Sequence, residues 1–285
     1  MSKLQIVVFN VGAAQSILIF PTAQSSHARL IDCGGEADGF SPVEFIVSNN
    51  LLPKNGYGKP KLGNLTITNY DHDHFSWLPD LRKKVEIWTT QLPKNISSKE
   101  LKLHKDQLTE ALEHLCYLKD TYTNPAQDFD PVYKTETYHL QQSDLAGDLN
   151  TNHLSQMVFI EFEGSKLCVA GDLEKPAWEK MLLNQDVRNH LSAVDVLIAP
   201  HHGRENGYHE AIFKFCSPEL IVISDKDIVH DTQDGMAQVY SKHVRGNGIG
   251  FNGSRRKVLT TRSDGHILVE FEANGKRTYD YLRIA

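Results

Sequence analysis

The chain has 285 residues, a net charge of −6 and a sequence pI near 6.1. Its hydrophobic fraction of 40% and charged fraction of 23% are those of an ordinary globular protein that can bury a sizeable core. The acidic balance excludes a protein that attracts nucleic acid or anionic membranes through a global basic field. No apolar run approaches the length of a membrane span, and we expect a cytoplasmic protein with no membrane partner.

Short runs rich in β-branched residues predict strands in the first part of the chain, at 4–9, 16–20, 28–33 and 65–68. A helix is predicted to begin near Ser97, because Glu100 follows with the spacing of a capping box. Leucines recur at helical intervals after it, from Leu108 to Leu118. We interpret the region at about 92–150 as a helical insertion.

The second half alternates predicted strands with helical segments, and the strands fall at 157–162, 166–170, 194–199 and 220–224. No internal repeat or low-complexity linker divides the chain. We therefore predict one α/β domain over residues 1–285, with two packed sheets and helices outside. The four cysteines are scattered without a CxxC pair, which favours reduced core residues over disulfides.

Carboxylates and imidazoles follow four of the predicted strands. They are Asp71, Asp73 and His74 after the strand at 65–68, Asp172 after 166–170, His201 and His202 after 194–199, and His230 after 220–224. Each has a plainer interpretation, such as a polar loop, a helix cap at Asp172 or a turn at His230. In α/β proteins, however, sites gather at strand ends, and four such ends together predict a site for a divalent metal.

In this order the motifs resemble those of the metallo-β-lactamase superfamily, and within it the hydrolase domain of ComEC-type DNA-uptake proteins. That branch reads FxVGQGDSxLI, IDxG, THxDxDHxGG, GDxE, PHHG and a late GHP. The counterparts here are FNVGAAQSILI, LIDCGG, TNYDHDHFSWL, AGDLE, APHHG and VHD. The resemblance covers most of the chain and implies an αββα sandwich. Two mixed β-sheets would be flanked by helices, with a one- or two-metal site along one edge.

The resemblance also implies a ligand set for each of two ions. One set is Asp73, His74, Asp172 and His230, and the other is Asn69, Asp71, Asp172 and either His153 or its neighbour Asn152. Asn69 stands where the family has its first histidine, so the second ion is expected to bind weakly or to be absent. Ser76, Trp77 and Gln15 also depart from the family pattern. Oxygen-rich donors suit harder cations, which makes Mn²⁺ a competitor to Zn²⁺.

Such a site supports hydrolysis by a metal-bound hydroxide. The predicted catalytic residues are Asp73, His201 and His202, where one of the two histidines donates a proton, binds an oxyanion or serves as a ligand. Arg204, directly after PHHG, is predicted to bind a phosphate oxygen of the substrate.

We expect a nuclease or phosphodiesterase with a nucleic acid substrate, DNA or RNA. Partial support comes from the basic residues of the final third, for which a solvated surface cluster is the plainer interpretation: Lys242, His243, Arg245, Arg255, Arg256, Lys257 and Arg262. One alternative is a hydrolase of a small ester, lactone or nucleotide. The other is a degenerate, non-catalytic member that acts as a binding subunit with a partner protein from the same system.

Overall fold

The structure, a computed structural model, describes residues 2–123, 132–145, 147, 149–226 and 231–282. Its strands form two sheets and one small hairpin. The first sheet contains β1 (Lys3–Val8), β2 (Ser16–Pro21), β3 (Arg29–Cys33), β4 (Lys61–Thr66), β5 (Glu86–Gln91), β14 (Ile267–Glu272) and β15 (Arg277–Tyr281). The second contains β6 (Lys134–Tyr138), β7 (Met157–Phe162), β8 (Ser165–Val169), β9 (Val196–Ile198), β10 (Leu220–Ile223) and β13 (Val258–Thr260), and the hairpin contains β11 (Ile249–Phe251) and β12 (Ser254–Arg256).

Strand order explains where a site can form. The first sheet runs β15-β14-β1-β2-β3-β4-β5, and the second runs β13-β10-β9-β8-β7-β6. Strands β3, β4 and β5 are parallel to one another, as are β8, β9, β10 and β13. The loops that leave the carboxyl ends of these parallel strands carry Asp71, Asp73, His74, Asp172, His201 and His202. The fold thus gathers residues that are distant in sequence.

Eight helices are described: α1 (Pro42–Ser48), α2 (Leu78–Lys84), α3 (Ser98–His104), α4 (Glu110–Thr121), α5 (Lys175–Met181), α6 (Gln185–Ser192), α7 (Met236–Ser241) and α8 (Thr261–Asp264). None of these described helices has the length and apolar character that crossing a bilayer requires.

Three apolar clusters fix the layers. Between the sheets, Ile6 and Ile17 of the first sheet share a buried cluster with Ile160 and Val196 of the second. A second cluster joins the outer face of the first sheet to α1, α2, α3 and α4, and a third joins the second sheet to α5, α6 and α7. Each fully buried large apolar side chain contributes about 1.5–3 kcal/mol. The predicted αββα sandwich of two mixed sheets flanked by helices is confirmed.

The region at 92–150 differs in detail from the helical insertion predicted for it. Its first helix has the predicted capping box, with Ser97 and Glu100 bonded to each other's backbone. The single helix expected from the leucine spacing is interrupted, because Lys105 adopts an extended conformation and Thr109 caps a new helix, α4. The region also contributes strand β6, which pairs with β7 at the edge of the second sheet. The four cysteines are free and buried, as predicted.

Candidate metal centre

Four side chains from three loops converge at one edge of the sandwich: Asp73, His74, Asp172 and His202. One ligand atom from each lies within 4.8 Å of the others. Asp73 and His74 belong to a short 3₁₀ turn after β4, Asp172 follows β8, and His202 follows β9. We call these four residues the candidate metal centre.

The turn that carries Asp73 is pressed against the loop that follows β3. The backbone N–H of Gln15 donates to the carbonyl of Asp73 at 3.1 Å. A Cβ atom on Gly34 would lie 1.6 Å from the same carbonyl oxygen, so only glycine permits this approach. Gly34 is therefore part of the site's scaffold.

The loop after β9 adopts a conformation that side chains rarely tolerate. His201 and His202 have φ angles of 49° and 53°, in the left-handed region, and Gly203 follows with φ 72°. Such backbone costs on the order of 1–3 kcal/mol per residue and is found where function demands it. It brings both imidazoles toward Asp172, at 3.9 Å from His201 Nε2 and 3.7 Å from His202 Nε2.

The His74 ring is oriented by Asp32, a fully buried residue in β3. His74 Nδ1 donates to Asp32 Oδ2 at 2.9 Å. Asp32 also accepts from the backbone and hydroxyl of Thr68 and from Gln15 Nε2, each at 2.6 Å. With the Nδ1 proton committed to Asp32, the lone pair of Nε2 faces Asp172 Oδ1 at 3.1 Å.

His202 is held in the same tautomer by a backbone carbonyl. Its Nδ1 lies 2.9 Å from the oxygen of Ser224, and a carbonyl can only accept, so Nδ1 carries the proton. Its Nε2 then points inward, 3.3 Å from Asp73 Oδ2. An imidazole whose outer nitrogen donates to the protein and whose inner nitrogen is free has the usual arrangement of a metal ligand.

The inner atoms of the centre lack hydrogen bonds. His74 Nε2, His202 Nε2 and Asp172 Oδ1 are buried and have no hydrogen-bond partner among the described residues, although they lie within 4 Å of one another's groups. A buried polar atom without a partner costs about 1–3 kcal/mol, so three of them in contact require an explanation. A divalent cation coordinated by these nitrogen and oxygen atoms supplies one, and this donor set suits Zn²⁺ or Mn²⁺.

The electrostatics favour a cation at the same point. Burial alone lowers the pKa of His74, but the carboxylates of Asp172 and Asp32 outweigh it and raise that pKa well above its usual range. Burial raises the pKa of Asp172, but the imidazoles of His74, His202 and His201 outweigh burial and hold that pKa well below its usual range. The shift at His74 reports the negative potential of the two carboxylates, and the shift at Asp172 shows that this carboxyl stays ionised. The centre therefore holds negative charge that would stabilise a cation between the side chains.

One side of the centre faces solvent. The side chain of Asp73 is 36% exposed, whereas those of His74, Asp172 and His202 are 4% exposed or less. A substrate would therefore approach past Asp73.

The second ligand set implied by the resemblance has other partners. Asn69 Nδ2 donates to Asn152 Oδ1 at 3.0 Å and to Ser155 Oγ at 2.9 Å. Asp71 forms an ion pair with Lys105, and His153 Nε2 lies 3.1 Å from Glu174 Oε2. Among the described residues, the one cluster of metal-ligand type contains neither Asp71 nor His153.

Three further predicted residues lie beside the centre or outside the described part. His201 Nδ1 is 3.3 Å from Glu174 Oε1, so this histidine bridges the space between Glu174 and Asp172. Arg204 is partly buried, and its Nε has no hydrogen-bond partner among the described residues. His230 lies outside the described residues.

Three of the basic residues in the final third have carboxylate partners within the chain. Arg256 pairs with Asp264 at 2.9 Å, and Arg262 pairs with Asp225 at 2.8 Å. Arg245 pairs with Asp195. These three arginines are therefore neutralised locally, and the support for nucleic acid binding that their number suggested is reduced.

Sequence reasoning missed the residues that orient the ligands. Asp32 stands in the LIDCGG motif that carried the resemblance, and this was the available signal, but no role followed from it. Gln15, which replaces a family aspartate, bonds to Asp32 Oδ2 and thereby retains a contact with the site. Ser224 orients His202 through its backbone carbonyl, and Lys105 pairs with Asp71, which is 34 residues away in sequence. Neither contact could be predicted from a local sequence pattern.

Comparison with solved structures identifies the fold. The metallo-β-lactamase-fold protein YhfI from Bacillus subtilis matches 95% of this chain and 100% of its own, with a TM-score of 0.51 at 10% identity. The fold is that of the metallo-β-lactamases. Zn²⁺-bound PqqB from Methylobacterium extorquens matches 65% of this chain and 58% of its own, at 14% identity and a TM-score of 0.40. A diphosphatase of the PhnP family matches 95% and 98%, at 10% identity and a TM-score of 0.40.

The TM-scores of PqqB and the diphosphatase are below 0.5, so these two likenesses carry no inference about function. No protein-family model matches the sequence, and no curated protein matches it.

Proposed function

We propose that the protein is a metal-dependent hydrolase that cleaves phosphodiester bonds, in DNA or RNA. The observation that carries the proposal is the set of buried, unpartnered inner atoms on His74, His202 and Asp172. A scaffold or binding subunit without a metal gains nothing from three polar atoms buried against one another. The sequence resemblance to the ComEC branch adds the substrate class.

The chain's own residues would divide the work. Bound between Asp73, His74, Asp172 and His202, a divalent ion supplies Lewis acidity and lowers the pKa of a coordinated water. Asp32 and the Ser224 carbonyl keep the two imidazoles in the tautomer that ligation requires. His201, between Asp172 and Glu174, is placed to hold or transfer a proton beside the centre.

Arg204 is the residue proposed to bind the phosphate. It follows Gly203 in the same strained loop as His202, and its backbone N–H donates to His201 at 3.0 Å. An arginine whose buried Nε has no partner among the described residues retains donors for an anionic oxygen. Its charge would stabilise a phosphodiester and offer little to a neutral ester.

A second candidate, hydrolysis of a small ester or nucleotide, is favoured by one cavity. About 440 Å³ in volume, it lies beside the Asp71–His74 turn and is lined by Tyr70, His72, Phe75, Lys105 and Leu112, among others. This volume is within the range of small-molecule sites, about 300–1,000 Å³. The local pairing of Arg245, Arg256 and Arg262 agrees with a substrate smaller than a polymer.

The test compares substrates with Mn²⁺ and with Zn²⁺. Linear DNA, circular DNA, RNA, a chromogenic phosphodiester and a neutral chromogenic ester would be incubated with the wild type, with Asp73→Asn and with Asp186→Asn. Asp186 is an exposed carboxylate at the start of α6 and serves as the matched control. Cleavage of the polymers that Asp73→Asn abolishes and Asp186→Asn retains supports the nuclease.

The other outcomes separate the alternatives. Turnover of the small substrates without cleavage of the polymers favours the second candidate, and Arg204→Gln should then raise KM for the diester without affecting the neutral ester. Equal cleavage by the wild type and Asp73→Asn identifies a contaminant. A protein that binds no metal and captures a specific partner would support the non-catalytic alternative instead.

A further inference from the structure

We propose that the chain binds one metal ion only, and that the ammonium group of Lys105 takes the place of the second cation of a two-metal arrangement. This inference rests on the proposed metal centre. The carboxylate of Asp71, which the family resemblance gives to a second ion, is paired with Lys105 and also accepts from Thr151 Oγ1 at 2.8 Å. A fixed positive charge thus already neutralises the acid that a second ion would need.

Asn69 is equally committed. Its side-chain oxygen accepts the backbone N–H of Asp71 at 2.7 Å, and its amide nitrogen donates to Asn152 and Ser155. The side chain is fully buried, so turning it to present a ligand would break three hydrogen bonds. Where the family has an imidazole ligand, this chain has an amide whose hydrogen bonds connect neighbouring loops.

The third member of the set, His153, is paired with Glu174. Its Nε2 contacts Glu174 Oε2, and Glu174 Oε1 accepts from Asn152 Nδ2 at 3.1 Å and from Asn206 Nδ2 at 2.7 Å. Neither Asn69, Asp71 nor His153 has a buried side-chain nitrogen or oxygen without a partner, in contrast to the candidate metal centre. The described residues fit one ion and do not fit a second at this position.

The position of Lys105 in the fold explains how the ammonium is supplied. Lys105 is the residue at which α3 ends, and its extended backbone directs the chain into the turn before α4. This turn is part of the region at about 92–150 and contacts the loop after β4 through the pair of Lys105 and Asp71. Lys105 also lines the 440 Å³ cavity, so its ammonium group is shared between the cavity wall and Asp71. Unlike a metal ion, this charge remains in the presence of a chelator.

Metal stoichiometry tests the proposal without reference to activity. Protein purified without chelators would be analysed for bound metal by mass spectrometry and titrated with Mn²⁺ and Co²⁺ by calorimetry and absorbance. We expect one equivalent for the wild type and one for Lys105→Arg, which retains the charge. Lys105→Ala should acquire a second, weaker equivalent, and Asn69→His with Lys105→Ala should bind that equivalent more tightly.

Each result has a distinct meaning. Two equivalents in the wild type overturn the proposal and leave the hydrolase intact. Failure of the folded Lys105→Ala variant to acquire a second equivalent overturns the role of Lys105, even if the double variant does not fold. No metal in the wild type overturns the metal centre itself, and with it the proposed function.

Discussion

Two groups of polar side chains lie next to each other at the edge of the sandwich, and they differ in how their atoms are satisfied. In the candidate metal centre, inner atoms of His74, His202 and Asp172 are buried without partners. In the neighbouring group, Asn69 and Asp71 each bond to other residues of the chain. Both groups depend on the same loop after β4. Residue type alone therefore does not distinguish a ligand from a structural residue. The distinction lies in whether each buried polar atom has a hydrogen-bond partner within the chain.

The difference has a traceable origin. Lys105 and Thr151 bind Asp71, Asn152 binds Asn69, and all three lie in or just after the region at about 92–150. The partners of the metal centre lie instead in the strands, with Asp32 in β3 and Ser224 directly after β10. Residues in or directly after the strands thus orient the ligands of the candidate metal centre. Residues in or just after the region at about 92–150 bind the side chains of the neighbouring group.

The largest effect should come from Asp172→Asn. This change removes a charge and an oxygen from the middle of the centre, where Asp172 faces three imidazoles. We expect metal affinity to fall by more than about 100-fold, beyond the range for residues that only orient ligands. Calorimetric titration with Mn²⁺ and Zn²⁺ measures it.

Asp71→Asn is the matched control from the neighbouring group. Because Asp71 is paired with Lys105, its neutralisation should leave the first metal's affinity unchanged. Equal losses from both substitutions would mean that the two groups act as one site, contrary to the comparison.

A smaller effect is expected from Asp32→Asn. The amide nitrogen would face donors now satisfied by a carboxylate, namely His74 Nδ1, Gln15 Nε2 and the Thr68 hydroxyl. We expect metal affinity to fall about 10- to 100-fold, since His74 loses the partner that fixes its tautomer. Stability should fall as well, by about 1–3 kcal/mol for the mismatched donors.

Glu219→Gln separates these two consequences. Glu219 accepts from Arg277 and Tyr279 near the opposite ends of the strands. Burial raises the pKa of Glu219, but these two partners outweigh burial and lower that pKa. Its substitution should lower the free energy of unfolding and leave metal affinity unchanged. An Asp32→Asn variant with unaltered metal affinity would remove Asp32 from the site.

The fold was predictable because its signals are local. Strands such as β7 and β8 are short runs rich in apolar residues, and the order of the motifs along the chain matched a known sandwich. The loop motifs containing Asp73, His74 and Asp172 were found for the same reason, because each directly follows a strand. Even the capping box at Ser97 could be read from two residues three positions apart.

What failed to emerge from the sequence depends on long-range contacts. Lys105 and Asp71 are 34 residues apart, and Asp32 and His74 are 42 apart. Arg245 and Asp195 are 50 residues apart, and their pairing could not be predicted from the sequence either. The charges of the basic cluster were therefore expected to be available to a substrate. The interruption between α3 and α4 went unpredicted because Leu108 continues the leucine spacing, although it is 60% exposed in the structure.

Gly34→Ala tests how closely the scaffold must hold the metal centre. The new methyl group would overlap the carbonyl of Asp73, and we expect a loss of about 1–3 kcal/mol in the free energy of unfolding. Displacement of Asp73 should also weaken metal binding, by less than the loss of a ligand. Urea unfolding and metal titration of the same samples measure both.

Gly56→Ala is the control for Gly34→Ala, because a Cβ at Gly56 meets no atom within 4 Å and its φ is not in the left-handed region. Its stability and metal affinity should match those of the wild type. If Gly34→Ala behaves in the same way, the close contact at Asp73 does not constrain the site.

The smallest effect is expected from His153→Gln, and an unchanged metal content would show that His153 is not a ligand. If His153 were a ligand of a second ion, its loss would remove that ion and change the stoichiometry of binding. In the structure its Nε2 instead contacts Glu174, and both side chains are less than 20% exposed. Glutamine can still donate to Glu174, so stability should change by less than about 1 kcal/mol, the worth of one hydrogen bond. Metal content and affinity should stay at the wild-type values in a calorimetric titration. A loss of bound metal in this variant would show that His153 is a ligand in the metal-loaded protein. The proposed distinction between the candidate metal centre and the neighbouring group would then be wrong.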